Sequence, residues 1–116
     1  SHLVEYPAMA TLLLLLFAHA LADYPLQGDF IAKNKSKHSP KPFPNEPHPW
    51  AIVLTAHCLI HSGLVLIITG SLWLALTELI LHWVIDYYKN ENKITFQIDQ
   101  ALHVACKVVY VVVLAV

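Results

Sequence analysis

Ten ionisable side chains lie inside stretches that are otherwise apolar, and their spacing sorts them into four groups. These are His19 and Asp23; His57 and His61; Glu78, His82 and Asp86; and Asp99, His103 and Lys107. Within each group the interval is four residues, which on an α-helix puts the members on one face, a turn apart. Histidine nitrogen with Asp or Glu oxygen, and no organised thiolate, is a donor set for zinc, manganese or iron rather than copper(I) or magnesium. The expected metal ligands are His19, Asp23, His57, His61, His82, Asp86, Asp99 and His103, with Zn2+ first in order and Mn2+ or Fe behind it. That set exceeds one tetrahedral site. Either two ions share the carboxylates, or one ion uses some of the residues and the rest orient them.

Four apolar stretches must position these groups. They run from about residue 8 to 24, 50 to 69, 72 to 88 and 96 to 116, close to the roughly 20 residues that a helical membrane span needs. The composition agrees: 57% of the 116 residues are hydrophobic and 13% charged, against about 25% charged in soluble domains. An all-α, integral membrane, four-helix antiparallel bundle is expected, as a single domain over 1–116. Gly70-Ser71 is a tight hairpin signal, and Trp50, Trp83, Tyr87, Tyr88 and Phe96 fall near span ends as an aromatic belt would. After the first span, the stretch through Phe30 and Ile31 suits a short interfacial helix. Residues 33–49 are a Pro-rich loop.

A leucine run ending in Ala18-His19-Ala20 imitates a signal peptide. The preceding flank carries Glu5 instead of positive charge, so a retained helix is expected. Lys33, Lys35, Lys37 and Lys41 lie in the first connection, Lys89 and Lys93 in the third. The positive-inside rule makes that side cytoplasmic and both termini non-cytoplasmic. With seven basic residues, all lysine, and a net charge of −1, there is no electrostatic footprint for nucleic acid.

Depth tests the grouping independently. Counted from the cytoplasmic boundary, His19, His57, His82 and His103 all lie about 8–11 Å in. Asp23, Asp86 and Asp99 lie at up to roughly 5 Å, and His61, Glu78 and Lys107 near 15 Å. The order of ligands along the chain reverses between inward and outward helices, which keeps the layers level. A layer of His beneath a cap of carboxylates, open to the cytoplasm, follows. Intramembrane ionisable groups are costly against lipid and should face one another.

Blander roles are assigned beside these. Glu78 and Lys107 share a depth and suit a buried ion pair as well as a substrate contact. Cys58 and Cys106 suit packing. His38 and His48 belong to the Pro-rich loop and have no specific role. Gln27 and Gln100 border the carboxylate layer and could orient ligands.

The stretches AHALADYPLQGDFIAKNK, HCLIHS, LHWVIDYYK and FQIDQALHVA resemble the domain-of-unknown-function 3307 family, small membrane proteins of bacteria and their bacteriophages. His19-x3-Asp23 with Gln27, and Asp99-Gln100-x2-His103, are the most specific parts of that likeness. A fainter similarity runs to the bacterial membrane-bound metal-dependent hydrolases, on His82-x3-Asp86 and His57-x3-His61. The Gly- and Arg-containing stretch of that second family is missing here.

The expected function is metal-dependent hydrolysis of a lipid or lipid-linked substrate at the cytoplasmic leaflet of the bacterial inner membrane, with Glu78 and Asp86 as candidate catalytic bases. A homo-oligomer is an allowed assembly. The alternatives are a non-catalytic, metal-stabilised membrane module or effector, and a haem-b bundle.

Overall fold

The computed structural model of the protein describes residues 7–39 and 45–116. Glu5, Lys41 and the centre of the Pro-rich loop lie outside the described residues. Regular structure among the described residues is helical throughout: α1 (Ala8–Asp23), α2 (Gly28–Asn34), α3 (Pro49–Thr69), α4 (Leu72–Asn90) and α5 (Phe96–Ala115).

Local chemistry sets the breaks. Gly28, at φ 67°, opens α2 in a conformation that a side chain disfavours, and α2 leaves α1 at an angle of 80°. Pro49 begins α3, where its missing N–H would have been unpaired anyway. Gly70 ends α3 in the left-handed region and donates to Leu66 O at 2.8 Å. The next residue, Ser71, caps α4 by accepting from Leu74 N, and Thr95 caps α5 by accepting from Ile98 N.

The four long helices close a ring in which α1 packs on α3 and α5, and α4 packs on α3 and α5. The first and third connections share one end. Lys37 Nζ lies 3.0 Å from Glu91 Oε1, His38 Nε2 lies 2.9 Å from Glu91 Oε2, and Asn90 donates to the Lys35 carbonyl. At the opposite end Leu15, Val65, Leu74 and Tyr110 form an apolar plug, joined by Ile68, Cys106 and Val111.

Burial is inverted relative to a water-soluble protein. Among the described residues, eleven buried ones are polar or charged against ten buried hydrophobic ones, while Met9, Phe17, Ile67, Trp73, Ile80 and Val112 are exposed. Lipid is the solvent that accepts such a surface and drives the polar groups inward. Helices α3 and α5 are each long and apolar enough to cross a membrane, and α1 with α2 meets that measure as a bent pair. These features suit a membrane protein.

Candidate metal centre

The i, i+4 faces of α1, α3, α4 and α5 all turn inward at the level just beneath the Lys-bearing connections. All eight residues expected as ligands meet there. Asp86 is the hub. Its Oδ2 is 3.3 Å from His57 Nε2 and 3.2 Å from His82 Nε2, and none of these three atoms has a hydrogen-bond partner. Its Oδ1 is 3.1 Å from His103 Nε2, which is 3.4 Å from Asp99 Oδ1. Asp23 is the second hub. Its Oδ1 accepts from His61 at 2.8 Å and lies 3.3 Å from His57 Nε2, and its Oδ2 is 3.1 Å from His19 Nε2.

Those separations fit metal coordination. Ligand atoms about 2.0–2.2 Å from a tetrahedral ion stand about 3.3–3.6 Å apart, and around an octahedral ion about 2.8–3.1 Å. Buried polar atoms nearly always find partners, yet His57 Nε2, His82 Nε2, Asp86 Oδ2 and Asp99 Oδ1 find none. A divalent cation would satisfy such lone pairs together. Asp23, His57, His61 and His82 offer donor atoms within 4.8 Å of one another, as do Asp86, Asp99 and His103. These buried groups could hold a metal ion.

A surrounding set of residues aims the inner ones. His82 Nδ1 donates to Glu78 Oε2 at 2.8 Å, which fixes the tautomer and leaves Nε2 facing Asp86. Glu78 Oε1 accepts from Lys107 Nζ at 2.7 Å and from Tyr110 Oη at 2.9 Å. Glu78 therefore has both oxygens engaged deep in the bundle, an orienting position more than a free base. Gln100 Nε2 donates to Asp99 Oδ2 at 3.0 Å and to Asp23 Oδ2 at 3.4 Å, and its Oε1 is 3.2 Å from His19 Nε2.

A cavity of about 140 Å³ opens over the carboxylates, lined by Asp23, Gln27, Lys35, Asp86, Lys89, Asp99 and Gln100 among others. Lys35 caps the end of α2, donates from Nζ to Gln27 Oε1 at 2.6 Å, and brings that Nζ to 3.6 Å from Asp86 Oδ2. Sequence reasoning placed Lys35 only as a loop cation, because nothing in its neighbours shows that the chain folds back over the site. Tyr110 was missed too, although it continues the face of Asp99, His103 and Lys107 by three residues. Cys58 is buried and Cys106 half-buried, both free. His38 pairs with Glu91, and His48 is an exposed residue preceding α3.

Neither a curated protein nor a solved structure matches the chain. The fainter similarity to membrane-bound metal-dependent hydrolases is not shown by any match. One family model covers residues 11–116, that of the "Protein of unknown function (DUF3307)", a span that takes in all four inward faces and every residue of the centre. The chain belongs to the DUF3307 family.

Proposed function

We propose that the protein is a membrane-embedded, metal-dependent hydrolase that acts on a lipid or lipid-linked ester at the cytoplasmic leaflet of the bacterial inner membrane. In this reading α1, α3, α4 and α5 all span, as an antiparallel bundle with both termini outside. The observation that carries it is the meeting of His57 Nε2, His82 Nε2 and Asp86 Oδ2, three buried atoms without hydrogen bonds at coordination spacing. Zinc fits the donors first, then manganese or iron.

A bound ion of this kind lowers the pKa of its water to about 7 and polarises an ester or phosphoryl oxygen. The chain supplies the rest. Asp99, which lines the cavity, takes the proton from the water, while Asp86 would hold the ion. The water oxygen bonds to the carbonyl carbon or phosphorus, the bond to the leaving alcohol oxygen breaks, and the carboxylate returns the proton to that oxygen. Lys35 and Lys89 put positive charge in the cavity wall, which favours an anionic, phosphoryl-bearing headgroup. The apolar plug around Leu15, Val65 and Leu74 argues for a dead-ended site over an ion path.

A non-catalytic, metal-stabilised module is the second reading. It is favoured by the saturation of Asp23, whose oxygens meet His19, His57 and His61 and leave little room for substrate on that side. Haem-b is disfavoured, because the His61–His82 and His82–His103 rings stack with centroids 3.7 and 4.0 Å apart, too close to admit a porphyrin.

The deciding experiment uses the full chain in vesicles of phosphatidylglycerol and phosphatidylethanolamine, with carboxylic-ester and phosphoester lipids as substrates. Headgroup or acyl release that stops with EDTA, returns with zinc, rises with pH through neutrality and disappears in Asp86→Asn supports hydrolysis. A metal-loaded protein inert toward both ester classes supports the module.

A further inference from the structure

We infer that the centre is built for two metal ions, bridged by the carboxylates of Asp23 and Asp86; the inference rests on the metal-dependent reading above. Both carboxylates divide their oxygens between different histidines. Asp23 turns Oδ1 to His57 and His61 of α3, and Oδ2 to His19 of α1. Asp86 turns Oδ2 to His57 and His82, and Oδ1 to His103 of α5. Two donor sets result. One comprises His57, His61 and His82 with Asp23 Oδ1 and Asp86 Oδ2. The other comprises His19, His103 and Asp99 with Asp23 Oδ2 and Asp86 Oδ1.

Two of the compact donor groups follow this division in part, with His19 in neither. Asp23, His57, His61 and His82 form one, Asp86, Asp99 and His103 form another, and they have no residue in common. A third combination, Glu78 with His82 and His103, is set aside because Glu78 is held by Lys107, Tyr110 and His82 Nδ1. Five histidines and three aspartates are also more than one ion accepts, since zinc takes about four ligands and octahedral metals about six. Two oxygens of a shared carboxylate suit ions about 3.5–4 Å apart, the spacing of two-metal hydrolytic centres. Gln100, tying Asp99 Oδ2 to Asp23 Oδ2, holds the second set in place from α5.

The test uses the full chain in detergent, stripped of metal and titrated with Mn2+ alone. Binding should saturate at about two ions per chain, with the six-line paramagnetic resonance of isolated Mn2+ replaced at full loading by an exchange-coupled spectrum. His103→Ala and, in case that variant does not fold, Asp99→Asn should each drop the stoichiometry to about one and restore the six-line signal. Saturation of the unaltered chain at one ion would overturn the two-metal inference and leave the hydrolase reading standing. Two ions with uncoupled spectra would overturn the carboxylate bridge. No Mn2+ bound by folded protein would overturn the two-metal inference, and no zinc bound either would overturn both that inference and the hydrolase reading.

Discussion

Glu78 Oε2 lies 2.8 Å from His82 Nδ1, one turn along α4, while its Oε1 lies 2.7 Å from Lys107 Nζ of α5. One buried carboxylate thus aims a candidate metal ligand and neutralises the deepest lysine of the bundle. Glu78→Gln should weaken zinc affinity about 10- to 100-fold, as loss of a ligand-orienting carboxylate does. Turnover at saturating zinc should return to near that of the unaltered protein if Glu78 orients His82 and does not itself accept the proton. The substitution also strands Lys107, at a stability loss of about 3–5 kcal/mol. Glu78→Gln with Lys107→Met should recover the stability but not the affinity. Zinc titration and thermal unfolding of both variants separate the two effects, and turnover that stayed low at saturating zinc would make Glu78 the base after all.

His57 offers a sign test. Both of its ring nitrogens are buried without hydrogen bonds, and an unsatisfied buried polar group is destabilising by about 1–3 kcal/mol. His57→Leu should therefore be more stable than the unaltered protein when both are metal-free, and less stable when both are offered zinc. Melting curves with and without EDTA give the answer. A variant less stable in both conditions would mean that His57 is a hydrogen-bonded packing residue.

The Lys37–Glu91 pair lies outside the helices at the cavity end and ties the connection after α2 to the end of α4. Its ionisation has a definite pH window. Lys37, bonded to Glu91 and Tyr87, holds its proton more tightly than usual, and Glu91, bonded to Lys37, is more acidic than usual. Glu91's contribution is present above its ordinary value of 4.5 and is lost as pH falls through its lower folded value. That of Lys37 is present below 10.5 and is lost as pH rises through its higher folded value. Amide exchange of residues 36–39, corrected for intrinsic rates, should be level between those limits and rise on the acid side. Glu91→Gln should show the faster exchange already at neutral pH.

Orientation is checked at Lys93, in the turn between α4 and α5. A maleimide that cannot cross membranes should leave Lys93→Cys unlabelled in intact cells and label it after permeabilisation. Labelling of intact cells would place the cavity on the outer side.

The inward faces were legible because period-four polar residues stand out from leucine and valine. His19 with Asp23, or Asp99 with His103, declares a helical face on composition alone. Which carboxylate serves which histidine was not legible. That Asp86 of α4 reaches His57 of α3 and His103 of α5 depends on how far each helix is rotated about its axis, which local spacing does not encode. The role of Glu78 was hidden for the same reason, since Lys107 and Tyr110 approach it from another helix. Spans were easier to see than their strength. Helix α4 carries Glu78, His82, Asp86 and Lys89, so its apolar signal is diluted by the residues that make the site. The fold-back of Lys35 over Asp86 depends on the turn at Gly28, where one left-handed φ redirects the chain.

Metal content is the most direct measure of the central claim. Protein extracted from membranes and purified without chelator would be analysed for zinc, manganese and iron, beside His82→Ala and Asp86→Ala prepared identically. The expected result is zinc, or else manganese or iron, at about one to two ions per folded chain, with most of it gone from both variants. A folded, unaltered protein that carries no transition metal and takes none up, or variants that keep the full amount, would contradict a metal centre. The histidines and aspartates would then be a hydrogen-bonded polar core.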